Sequence, residues 1–150
     1  MAANTVLLVE DNPSDVFIVQ RTFQKLQLPG SLQVAADGDE AVAYLSGSGR
    51  YADRERYPLP ALVLLDLKLP RRSGFEVLEW LKAQPILGRV PVVVFTSSRQ
   101  PSDINRAYDH GANSYLVKTV NPRDSEDLGR ILCHYWVKCN QQPDLDPLAS

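Results

Sequence analysis

The stretch 60-PALVLLDLKLP-70 decides how the chain reads. Ala61 to Leu65 form an unbroken apolar run of strand length. Such runs are expected where helices cover both faces of a parallel sheet. Asp66 interrupts the run, and an unpaired charge is costly in a buried strand. The sequence therefore places Asp66 at the carboxyl end of the strand and starts a loop at Leu67 to Pro70.

Working outward, Val6 to Val9, Val92 to Phe95 and Tyr115 to Val117 are further short runs rich in β-branched or aromatic residues. "SLQVA" at 31–35 alternates Leu32 and Val34 with Gln33, an edge-strand pattern. Helical spacing fills the gaps. In "PSDVFIVQRTFQKLQL" at 13–28, Val16, Val19, Phe23 and Leu26 share a face, with Pro13 in the first turn and Gly30 beyond the end. "SGFEVLEWLKAQ" at 73–84 opens with Ser73 and Glu76 in capping-box spacing. Another helix covers Pro101 to His110, stopped by Gly111. The last runs from about Arg123 to Cys139, with Leu128, Ile131, Leu132, Tyr135, Trp136 and Cys139 spaced by three and four.

A β-α alternation repeated five times predicts an α/β protein with right-handed crossovers. The expected architecture is a flavodoxin-like (βα)5 three-layer sandwich, its parallel sheet ordered 2-1-3-4-5. The 150 residues suit one domain, with a core at about 5–139. Residues 46–60 read as a long polar loop, and 140–150 as a loosely held, flexible tail.

Mixed charge with a net of -2 leaves no basic stripe for nucleic acid. No run approaches the roughly 18 apolar residues of a membrane span, so a cytoplasmic location is expected. Cys133 and Cys139 would stand about 9 Å apart along one helix, too far for a disulfide.

Four of the five strands end in chemistry: "VLLVED" in Glu10 and Asp11, "LVLLD" in Asp66, "VVVFT" in Thr96 and "YLVK" in Lys118. In a parallel sheet these ends line one edge, and ligands bind there where the connections diverge. With order 2-1-3-4-5 the divergence falls between strands 1 and 3, so Glu10, Asp11 and Asp66 meet. Three carboxylates in one crevice need a cation. Their all-oxygen chemistry suits Mg²⁺, which keeps waters and accepts phosphate oxygens. The Thr96 hydroxyl and the Lys118 ammonium suit the oxygens of a phosphoryl group. Asp66 can act as the nucleophile and form an acyl phosphate.

The motifs "LLVEDN", "LLDLKLPRRSG", "VVFTS" and "SYLVK" occur in the order and spacing that resemble the receiver domain of two-component response regulators, over about Thr5 to Cys139. The resemblance implies that Asp66 is the phospho-acceptor and that Glu10, Asp11, Asp66 and the main-chain carbonyl of Lys68 hold Mg²⁺. It also implies that Thr96 and Lys118 contact the phosphoryl group, and that Tyr115 and Thr96 act as switch residues. On the same resemblance the expected donor is a sensor histidine kinase, and the domain is expected to catalyse its own phosphorylation and dephosphorylation rather than act as an enzyme on external substrates.

The 46–60 insertion, "PLPALVLLDLKLPRRSGFEVL" and "HYW" narrow the resemblance to stand-alone regulators that serve phytochrome-type light-sensing kinases. With 11 residues after Cys139, no output domain is expected, and the signal leaves by protein contact. Phe17 is the expected kinase-docking residue, and Tyr135 and Trp136 the expected homodimer surface.

One departure stands out. The family usually has proline after the lysine, commonly with a cis peptide, and this chain has Thr119. A cis bond there would cost about 2.5–4 kcal/mol, which leaves room for a receiver-like adaptor that works without phosphorylation. A Mg²⁺-dependent aspartyl-phosphate hydrolase is a third reading. That chemistry wants a second acid two residues after the nucleophile, where this chain has Lys68.

Overall fold

The structure is a computed structural model that describes residues 5–27, 31–119 and 121–149. Five strands, β1 (Val6–Val9), β2 (Leu32–Ala35), β3 (Leu62–Leu65), β4 (Val92–Thr96) and β5 (Ser114–Val117), form one sheet. All pairings are parallel and the order is β2-β1-β3-β4-β5, the flavodoxin-like order expected from the sequence. Every residue of β1 and β3 is buried, because both strands lie inside the sheet with helices on each face.

The helices are α1 (Pro13–Lys25), α2 (Gly38–Ser46), α3 (Gly74–Lys82), α4 (Pro101–Asp109) and α5 (Pro122–Leu132). Strand alternation divides the core into two layers. Val6, Leu8, Leu62, Leu64 and Val93 pack with Leu132, Val137 and the half-buried Val16, Val19 and Phe23 of α1. Leu7, Val9, Val63, Leu65, Val92 and Val94 pack with Ala41, Leu45, Val77, Leu78, Leu81 and Ala107 from α2, α3 and α4.

Asn12 caps α1, its Oδ1 accepting from the Ser14 and Asp15 amides at 2.9 and 3.4 Å. Ser73 and Glu76 form the expected capping box on α3. The first helix ends at Lys25, where the Leu26 amide donates to the Thr22 carbonyl at 3.2 Å; Gly30, expected beyond its end, lies outside the described residues.

Three expectations need correction. First, the 46–60 segment is no simple solvated loop. It contains a 3-10 turn at Gly49–Ala52 and buries Tyr51. The rings of Tyr44, Tyr51 and Tyr57 cluster with centroids 4.9–6.0 Å apart. Arg54 closes the end of α2 by donating to the carbonyls of Tyr44 at 2.8 Å and Leu45 at 2.9 Å.

Second, the last helix changes winding at Cys133–Cys139, which is π-helical. The wider turn buries Leu132 and Val137, five residues apart, and leaves Ile131 and Tyr135 exposed. An α-helical stripe through Tyr135 and Cys139 therefore does not form, and Cys139 is a free, exposed thiol.

Third, the tail is held. Arg89 Nη1 donates to the Asp144 carbonyl at 2.9 Å, Leu145 packs on the α2–α4 core layer, and Asp146–Ala149 form a short helix, α6.

Candidate functional site

The pairing register brings the strand ends to one level. Val9 lies opposite both Ala35 and Leu65, so Glu10 and Asp66 leave neighbouring strands side by side. The Asp66 amide donates to the Val9 carbonyl at 3.1 Å, and the Glu10 amide to Ala35 at 3.0 Å. On the other side Thr96 pairs with Val117, and the Lys118 amide donates to the Thr96 carbonyl at 2.7 Å. The loop after Asp66 folds back tightly: a Cβ on Gly74 would sit 2.1 Å from the Asp66 carbonyl oxygen. Only glycine lets the start of α3 approach that closely.

Lys118 is the centre of charge. Its ammonium donates to Glu10 Oε1, to Asp15 Oδ2 at 2.8 Å and to Asp66 Oδ2 at 2.9 Å. Asp15 was absent from the residues expected on sequence grounds. An acid in a first helical turn reads as a dipole partner, and only the fold turns it toward Lys118.

Burial pushes the Glu10 carboxyl up to about 7, aided by the Asp66 charge and opposed by the Lys118 hydrogen bond. Burial alone would lower Lys118, but its bonds to Asp15, Glu10 and Asp66 hold it above the ordinary lysine range.

The donor set fits a hard divalent cation. Glu10, Asp11 and Asp66 each offer a carboxylate oxygen, all within 4.8 Å of one another, and oxygen-only sites of this kind suit Mg²⁺ or Mn²⁺. Lys118 takes Glu10 Oε1 and Asp66 Oδ2. Among the described residues, Glu10 Oε2 keeps only the Asn12 amide at 3.2 Å, and Asp66 Oδ1 only the Lys68 amide at 3.3 Å. Asp11 is exposed at the mouth.

Thr96 is fully buried, and its Oγ1 has no hydrogen-bond partner among the described residues. An unmet buried hydroxyl costs about 1–3 kcal/mol, so its retention points to a ligand oxygen as the missing partner.

Around this centre, Lys68, Ser97, Ser98, Arg99, Gln100 and Asp103 line an open groove of about 500 Å³. The Tyr115 hydroxyl donates to the Ser98 carbonyl at 3.0 Å, tying β5 to the β4–α4 loop. Among the described residues there is no cis peptide, so the Lys118–Thr119 bond is trans. Phe17 stands on the exposed face of α1, 61% accessible. Tyr135 is exposed, whereas Trp136 is half-buried against the α1/α5 core layer and makes an edge-on ring contact with Tyr135.

Comparison with known proteins agrees with this geometry. The family model of the response regulator receiver domain matches residues 6–128. The response regulator Rcp1 of Synechocystis is 37% identical over 133 residues, 89% of this chain and 88% of that protein. A probable methanogenesis regulatory protein, FilR2, of Methanothrix harundinacea is 38% identical over 141 residues, covering 92% and 86%. Among solved structures, the phosphorylated cyanobacterial phytochrome response regulator RcpA superposes with a TM-score of 0.88 at 36% identity, covering 95% of this chain and 100% of its own. The Mn²⁺-bound form of Rcp1 follows at 0.86 and 35%, covering 94% and 99%.

Proposed function

Since the chain belongs to the response regulator receiver domain family, we propose that it accepts a phosphoryl group from a histidine kinase on Asp66 and passes the signal on by protein contact. The observation that carries this is the pairing of Asp66 Oδ2 with Lys118 next to an orphaned Thr96 hydroxyl. An Asp66 oxygen forms the new O–P bond as the P–N bond to the kinase histidine breaks, and the electron pair returns to the imidazole nitrogen. Phosphoryl transfer rests mainly on positioning and charge stabilisation. Lys118 steadies the attacking carboxylate, and the Thr96 hydroxyl donates to a phosphoryl oxygen. Glu10, Asp11, Asp66 and the Lys68 carbonyl would hold Mg²⁺, which when bound neutralises phosphoryl charge.

Donating to a phosphoryl oxygen draws the Thr96 side chain toward the acceptor, and Tyr115 exchanges its bond to the Ser98 carbonyl for an inward position. This biases a two-state surface. Phosphorylated and metal-bound relatives support the reading, and the phytochrome regulators among them support a bacterial phytochrome as the kinase. Among the described residues no helix is long and apolar enough to cross a membrane. The proposal places the regulator in the cytoplasm and its kinase contact at Phe17, which is exposed on α1.

Incubation with Mg²⁺ and acetyl phosphate, or an autophosphorylated kinase, should label wild type and not Asp66→Asn. Label that persists on the variant would reject the assignment. Homodimerisation through the last helix is part of the same proposal, supported by exposed Ile131 and Tyr135 beside Trp136. Light scattering should give a dimer for wild type and a monomer for Ile131→Lys/Tyr135→Lys, and equal monomeric masses would remove the dimer.

A further inference from the structure

Resting on Asp66 as the acceptor, we infer that Asp15 is a positioning residue for Lys118: it holds the ammonium in the unphosphorylated protein and is the partner Lys118 gives up to reach a phosphoryl oxygen. A lysine ammonium has three N–H donors, and here all three are committed, to Glu10, Asp15 and Asp66. A phosphoryl oxygen can be bound only by replacing one of them.

The three partners are not equivalent. Glu10 and Asp66 are buried and belong to the carboxylate group whose oxygens converge within 4.8 Å. Asp15 stands outside that group, and its side chain is 29% exposed against 2% for Glu10 and 9% for Asp66. Releasing a carboxylate that water can reach costs far less than stranding a buried one. Asp15 is therefore the bond that breaks.

The exchange has a mechanical consequence. Lys118 follows β5, whereas Asp15 lies in the first turn of α1, anchored through its amide to Asn12 and two residues before Phe17. In the unphosphorylated protein the ion pair ties the end of β5 to the first turn of α1, and phosphorylation cuts that tie.

The test compares wild type, Asp15→Asn and Asp15→Glu with Mg²⁺ and beryllofluoride, a stable phosphoryl mimic. It also follows the side-chain ¹⁵N–¹H signal of the Lys118 ammonium, identified by its loss in Lys118→Met. Freed of its competitor, Lys118 should bind the mimic about threefold to tenfold tighter in Asp15→Asn, while Asp15→Glu stays within about twofold of wild type. The ammonium signal of Asp15→Asn should differ from wild type in the free protein and coincide with it in the beryllofluoride complex. Unchanged or weaker binding in Asp15→Asn, or a signal difference that persists in the complex, would overturn the inference. Wild type that neither binds the mimic nor takes label on Asp66 would remove the acceptor assignment, and this inference with it. Normal wild-type behaviour with a silent Asp15→Asn would remove only the role of Asp15.

Discussion

Glu10 shows how one buried carboxyl links charge, metal and stability. Its proton is held up to about 7 against an ordinary 4.5, by burial first and then by Asp66. A folded-state pKa above the unfolded one means that the folded protein binds the proton more tightly. The contribution to stability is then full below about 4.5 and is lost as pH rises through about 7. Glu10→Gln cannot ionise and keeps a side-chain oxygen for the Asn12 amide. In chelator, its urea midpoint should gain on wild type between pH 5 and pH 7 and level off above; a gap constant with pH would show that Glu10 titrates normally. Glu10 was legible in the sequence, as were Asp11, Asp66, Thr96 and Lys118, because a polar residue ending an apolar run marks a strand terminus whatever the fold does next. Asp15 was not, because its role depends on a lysine 103 positions away.

At the scale of elements, helices are legible from apolar spacing only while their winding holds. Spacings of three and four placed Tyr135 and Cys139 with Leu132, but the π-helical turn at Cys133–Cys139 adds a residue per turn. The core contact moves to Val137, which is 6% exposed against 52% for Tyr135. No local composition signals that change; it follows from how the chain end packs on β1, β3 and β4. Val137→Ala removes buried methyls beside Leu132 and should cost about 1–3 kcal/mol. Tyr135→Ala should stay within about 0.5 kcal/mol in dilute monomer. Chemical denaturation of both variants checks this, and a larger loss for Tyr135 would restore α-helical winding. Because Trp136 rests on its own core, Ile131 and Tyr135 are the residues through which a second copy can be probed.

For the whole molecule, the strand order follows from the β-α alternation and the site from the strand ends, both global consequences of a local pattern. The segments that pack without such a pattern escaped: the aromatic cluster at 44–57 and the tail. Two leucines among prolines and acids predict no element, yet Leu145 rests on the α2–α4 core layer. Leu148 lines a groove with Leu45, Leu59, Trp80, Pro85 and Leu87. The chain thus crosses from the α1/α5 face to the opposite one, and the Arg89 bond to the Asp144 carbonyl fixes the crossing. Ending the chain at Asn140 removes the contacts of Leu145 and Leu148, at roughly 25 cal/mol per Å² of apolar surface returned to water. Because the tail touches none of Glu10, Asp11, Asp66, Thr96 or Lys118, stability and chemistry should separate. The truncated protein should lose about 1–3 kcal/mol in urea unfolding, while its labelling rate from acetyl phosphate stays within about twofold of the full chain. An unchanged urea midpoint would mean the tail rests on the groove without stabilising it, and a collapse of labelling in a folded protein would mean that the α2–α3 face communicates with the site around Asp66.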